Sequence, residues 1–186
     1  MSSASGLLVG ANIHPANLSS RQPPSFFALI IGINKYISDK LPNLGGAIAD
    51  SEAVKDYLQK TLGVPASRIK TLYDEQATHD GIVENLRALK DVDTKEGDPI
   101  LIFYAGHGTV GDAPKDWAAA SDEKIEMLAP HDTNYTDDDT VENALLDRTI
   151  GVLLEDLAKT KGDNIVRLVC AAIKSNAHLC NTDGHI

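Results

Sequence analysis

Phe26–Ile31 and Ile100–Ala105 are each apolar at every position. A strand with one wet face alternates apolar and polar residues, whereas an unbroken apolar run of this length fits a strand covered on both faces. That requirement narrows the fold to a mainly parallel sheet between helix layers. The rest of the chain supplies the layers. Ala47, Val54, Leu58 and Leu62 recur at helical spacing and form one stripe. Arg68–Tyr73 is the next strand. Thr78 then caps a second helix, with Asp80 in its first turn and Ile82, Leu86 and Leu89 as its buried face. Ile150, Leu153, Leu154, Leu157 and Ala158 mark a third helix stopped at Gly162, and Asn164–Val169 is a fourth strand. This order predicts at least four parallel strands, right-handed crossovers and helices on both faces.

Composition narrows the function classes. Hydrophobic residues make up 42% of the chain, enough for a core and too many for a disordered polymer. Lys and Arg number 17 against 27 Asp and Glu, a net charge of −10, which argues against nucleic-acid binding. No apolar run approaches the ~20 residues needed to cross a bilayer, so no membrane partner is expected. The small apolar patch Gly6–Gly10 has no basic residue before it, unlike a secretory signal. Cys170 and Cys180 lie close together near the C-terminus and indicate no disulfide framework; a reducing, cytoplasmic setting is expected. Residues 1–25, rich in Ser, Asn, Gly and Pro, read as a disordered leader, 26–170 as the domain, and 171–186 as a divergent tail. Between Gly106 and Leu146 only Lys124–Leu128 looks like a strand, and an insertion of that kind is more often functional than idle.

In an open α/β sheet the site lies beyond the carboxyl ends of the strands. Three such ends are polar or glycine-rich: Gly32–Lys35, Asp74–Glu75 and Gly106–Gly108. The last places His107 between two glycines directly after a buried strand, which predicts an exposed loop histidine at the rim. Its neutral imidazole suits a general base near pH 7, and the Gly108 N–H suits an oxyanion donor.

The run Phe103-Tyr-Ala-Gly-His-Gly-Thr109 resembles the histidine motif of the metacaspases and other caspase-like cysteine peptidases. Further landmarks follow in the family's order: Phe27–Asn34 is similar to its first strand, Leu44–Asp50 to its L-x-G-C-x-x-D segment with alanine at the usual cysteine, and Leu128–Asp132 to its "I-x-P-x-D" piece. The helix leading into Gly162–Ile165 resembles the approach to the catalytic strand. The resemblance implies a caspase-like three-layer sandwich, incomplete at its C-terminus, and a cysteine endopeptidase that cleaves peptide or protein substrates after Arg or Lys. It implies His107 as base and Asp50 as part of the acidic pocket that receives the basic side chain.

One departure stands out. Where the family reads D-(C/S)-C-H-S-G, ungapped alignment gives Cys170-Ala171-Ala172-Ile173-Lys174-Ser175. Ala172 takes the nucleophile position and Cys170 replaces the pocket's other aspartate. Residues 176–186 resemble nothing in the family, a divergence that suggests an altered reading frame, retained intron or splice variant. Two readings therefore compete: a peptidase using Cys170 as a displaced nucleophile, two residues early with altered reach and facing, or a catalytically dead domain that only binds or forms a homo-oligomer through its incomplete sheet. No cofactor or resident metal is expected. Asp137–Asp139 is a calcium candidate by its clustered carboxylates, while Cys170, His178, Cys180 and His185 match no usual zinc spacing.

Overall fold

The computed structural model describes residues 25–112, 124–137 and 140–174. Its elements run β1 (Phe27–Gly32), α1 (Ala47–Asp56), β2 (Ile69–Tyr73), α2 (His79–Ala88), β3 (Ile100–Asp112), β4 (Lys124–Ala129), β5 (Asn134–Tyr135), β6 (Val141–Glu142), β7 (Leu145–Leu146), α3 (Asp147–Lys161) and β8 (Ile165–Lys174). β2, β1, β3 and β8 are parallel neighbours in that order. β4 pairs antiparallel with β3 over His107–Asp112 and carries β7 on its other side. A strand has two edges, and β8 occupies one of them through Thr109. β4 therefore lies on the β1 side of β3, beyond the end of β1. The result is a six-stranded mixed sheet, with β5 and β6 forming a separate two-stranded ladder.

The two unbroken apolar runs behave as their composition requires. Leu29, Ile31, Ile100, Ile102 and Tyr104 face a core completed by Ile82 and Leu86 of α2 and Ile150 and Leu157 of α3. The alternate residues Ala28, Ile30, Leu101, Phe103 and Ala105 face the other way, onto Ala47 of α1 and Leu58. Period-two alternation thus feeds both helix layers. Thr78 caps α2 by accepting the Gly81 N–H, and Gly162 ends α3 at φ +83°, a conformation glycine adopts without strain.

Three features depart from the sequence expectation. The first helix ends in a π-type turn over Tyr57–Thr61, closed by Leu62 N–H donating to the Tyr57 carbonyl. The extra residue in that turn slips the apolar stripe, so Leu58 and Val64 are buried while Leu62 is 45% exposed. β3 does not stop at Ala105 but runs through Gly106, Gly108 and Gly111 to Asp112. Pairing with β4 and β8 outweighs the weak strand preference of glycine. β8 likewise continues past Val169 to Lys174, beyond the expected boundary at 170. The divergent tail lies outside the described residues from Ser175 on, as does the leader up to residue 24.

Candidate active site

The chain leaving β1 is fixed by the end of β2. Asp74 has φ +43° and is buried, and its carboxylate accepts the Asn34 N–H at 2.8 Å and the Lys35 N–H at 3.0 Å. This holds the next residue, Tyr36, under β3, where its hydroxyl accepts the His107 N–H at 2.7 Å. The hydroxyl of Tyr104 lies 2.9 Å from the His107 carbonyl and 2.8 Å from the Ala129 carbonyl, which share its one proton. Gly106 makes this convergence possible, since a Cβ there would lie 2.7 Å from the Tyr104 oxygen and 2.9 Å from that of Tyr36. Burial pushes the Tyr36 hydroxyl up to about 12 and that of Tyr104 well above its usual range. Both remain neutral hydrogen-bonding groups at physiological pH.

His107 itself is 6% exposed and sits within a strand, so the exposed loop histidine read from the flanking glycines is corrected. Its ring packs on Tyr36, with centroids 4.9 Å apart, and its Nε2 lies 2.8 Å from the Pro42 carbonyl oxygen. A carbonyl only accepts, so Nε2 carries a proton. The backbone frame and the ring orientation are both set by residues far away in sequence. Tyr36 and Pro42 were missed in the sequence because nothing local marks them; the polar stretch Gly32–Lys35 pointed only to their neighbourhood.

The Gly108 amide is directed at β8. The Ala105 carbonyl accepts the Ile33 N–H on the β1 side, whereas the Ile100 N–H donates to Asn164 on the β8 side. Backbone groups alternate along a strand, so the even-numbered residues of β3, Gly108 included, direct theirs at β8, where Gly108 is in register with Ile173. An oxyanion role for this amide requires β8 to part from β3 there. Asp50 is exposed on α1. The residue that turns into the sheet is its neighbour Ser51, whose hydroxyl bonds the Ala47 and Ile31 carbonyls. The i, i+4 pair Ala47 and Ser51 forms the buried face of α1, and Asp50 lies off it.

Strand register also locates the cysteine. Cys170 is opposite Ala105, while Ala172 is opposite His107. Residues in register share a face, and an offset of two is even, so Cys170 keeps the facing of the position opposite His107. Only its reach changes, by about 6.6 Å along the strand. Cys170 is exposed. A cavity of about 210 Å³ lined by Gly108, Met127, Leu128, Val169 and Ala171 opens nearby. Val169 and Ala171 alternate with Cys170, so this cavity lies on the opposite face of β8.

Among the described residues, no group of three or more His, Cys, Asp or Glu is placed to hold a metal ion, and no helix is long and apolar enough to cross a membrane. Asp138, Asp139, His178, Cys180 and His185 lie outside the described residues.

A caspase-domain family model matches residues 25–165, ending at the first residue of β8. No curated protein matches significantly. Among 62 matching solved chains is the crystal structure of protein GSU0716 from Geobacter sulfurreducens, with a TM-score of 0.56 and 20% identity. The match covers 78% of this chain and 49% of that one, so the chain spans about half the length of that structure. At this identity the likeness speaks for the three-layer fold alone.

Proposed function

Because the chain belongs to the caspase-domain family of cysteine peptidases, we propose that it retains the general-base half of the family's site, lacks the nucleophile half, and acts as a non-catalytic caspase-like domain. The observation that carries this reading is the register that puts Ala172 opposite His107. Covalent peptide cleavage needs a thiolate within hydrogen-bond reach of its base, and alanine offers no nucleophile. The His107 frame supports the base role: the Pro42 carbonyl accepts the Nε2 proton and so fixes the orientation of the ring.

The competing reading makes Cys170 the nucleophile of an endopeptidase that cleaves after Arg or Lys. Its exposure and its shared facing favour it; its displacement along β8 opposes it. In a serine-triad peptidase, loss of the nucleophile alone costs on the order of 10⁶ in turnover. The test is hydrolysis of reporter peptides ending in Arg or Lys, with and without calcium, by the chain and by its His107→Ala and Cys170→Ala variants. The expected result is no cleavage above buffer in any of them. Cleavage by the unmodified chain that both substitutions abolish overturns the proposal in favour of Cys170.

A further inference from the structure

The connection between β4 and β5 reaches back to the base. At its turn His131, half-buried, meets the loop that leaves β1. Its carbonyl accepts the Ile37 N–H at 3.0 Å, and its Nδ1 lies 2.7 Å from the Lys35 carbonyl oxygen. A carbonyl only accepts, so this Nδ1 carries a proton and donates it. The two bonds fall on either side of Tyr36, one residue before it and one after. In the pattern that Leu128–Asp132 resembles, position 131 is one that is left open.

We propose that His131 is a positioning residue for His107: by holding both flanks of Tyr36 it sets the phenol against the His107 amide and ring, and so ties the seat of the base to the β4–β5 connection. The inference rests on the reading of His107 as the retained base and adds the residue that holds its frame in place. Tyr36 is the relay. Its hydroxyl accepts the His107 N–H at 2.7 Å and its ring lies 4.9 Å from the imidazole, so a shift of the Tyr36 backbone moves both. Asp74 restrains the loop ahead of Tyr36, through the Asn34 and Lys35 amides, and Asn43 Oδ1 accepts the Tyr36 N–H at 3.1 Å from within the same loop. His131 grips it from outside the loop, before and after Tyr36.

A residue that positions another must itself be fixed, and His131 is. Its N–H donates to the Ala77 carbonyl at 2.9 Å. The carboxylate of the next residue, Asp132, accepts the His79 N–H at 2.7 Å at the start of α2, and the Asp132 carbonyl accepts from the Asn143 side chain at 3.2 Å. The turn is thus pinned to the β2–α2 connection on one side and to the residue after β6 on the other. The bond from the His131 carbonyl to Ile37 belongs to the backbone and survives any ordinary substitution at 131. The share that belongs to the imidazole is the bond to Lys35. A hydrogen bond of ordinary net strength corresponds to about a five- to tenfold change in a local opening equilibrium.

Native-state amide exchange of the full 186-residue chain, read by NMR, tests the relay. His131→Leu keeps bulk and removes the donor. His131→Asn is close to leucine in size and puts an N–H where Nδ1 stood. In His131→Leu the His107 amide should exchange about five- to tenfold faster, and the His107 ring resonances should move as the Tyr36 ring shifts. The amides of Ile102 and Tyr104, which face β8, should change less. His131→Asn should restore both His107 signals. In a Tyr36→Phe background the relay is already cut, so His131→Leu should no longer change exchange at His107. Equal acceleration at His107, Ile102 and Tyr104 would mark lost stability alone and overturn the proposal. So would unchanged His107 exchange in His131→Leu, failure of asparagine to restore it, or an effect that persists without the Tyr36 hydroxyl. Should His131→Leu fail to fold, His131→Asn still decides, since exchange at His107 unlike that of the natural chain overturns the proposal. None of these signals depends on cleavage, so peptidase activity would overturn the non-catalytic reading and leave the role of His131 standing.

Discussion

Replacing Tyr36 by phenylalanine removes one hydroxyl from the His107 frame. That hydroxyl accepts the His107 N–H at 2.7 Å, and Tyr36 is 9% exposed. The variant leaves a buried donor unmatched, at a cost of about 1–3 kcal/mol, so a central expectation near neutral pH is about 2 kcal/mol. Alkaline pH adds a second signature. Burial raises the Tyr36 hydroxyl from 10.0 to about 12, against opposing hydrogen bonds from the His107 amide and Tyr104 and with a smaller contribution from the Asp74 charge. A folded-state value above the unfolded one favours the protonated phenol in the folded chain. Its stabilisation is fully present below pH 10.0 and is lost as pH climbs towards about 12. At about pH 11 this linkage removes about 1.4 kcal/mol from the natural chain and nothing from the variant, which has no phenol at that position. Tyr104 is coupled to Tyr36, but burial, the larger cause, holds it high in both proteins, so it and the remaining tyrosines largely cancel. Urea unfolding should therefore show the gap between the two proteins narrowing from about 2 kcal/mol at about pH 8 to about 0.6 kcal/mol at about pH 11. A gap that stays constant or widens refutes the placement of a buried, neutral Tyr36 hydroxyl against His107.

Gly106→Ala pushes a methyl group into the oxygens of Tyr104 and Tyr36, 2.7 and 2.9 Å away, and should cost about 1–3 kcal/mol in the same assay; an unchanged midpoint would contradict the convergence of the two hydroxyls. Thr78→Ala removes the 3.1 Å cap on Gly81 N–H and should cost about 1 kcal/mol, with faster amide exchange at Gly81 as its local sign. Leu157→Ala empties a side chain that is 1% exposed beneath α3 and should cost about 2–5 kcal/mol. A loss below that range would mean that α3 packs more loosely on the sheet than the structure has it.

What the sequence revealed and what it hid divide along one physical line. The apolar runs at β1 and β3, the Thr78 cap and the Gly162 stop depend on neighbours within a turn or on simple period, and each appears where its local chemistry puts it. The family motif around His107 was legible for the same reason, as a contiguous string. The features that failed are set by distant partners. Glycines 106, 108 and 111 are strand residues because β4 and β8 flank them. Leu62 turns outward because one wider turn shifts a helix phase. Asp50 lies off the buried face because Ser51 fits against Gly32, where an added Cβ would come within 2.4 Å of its oxygen. The partners that orient His107, the Tyr36 hydroxyl and the Pro42 carbonyl, lie 71 and 65 residues away in sequence, and a carbonyl acceptor leaves no trace in residue type.

Whether the site can form a covalent intermediate turns on Ala172, not a cysteine, standing opposite His107. Labelling with a thiol-reactive peptide that ends in arginine, followed by intact mass, tests this most directly. Cys170 should react slowly, no faster than with a glycine-ended reagent, and at the same rate in the His107→Ala variant. Labelling of Cys170 that is faster with the arginine reagent and disappears in His107→Ala would contradict the non-catalytic assignment.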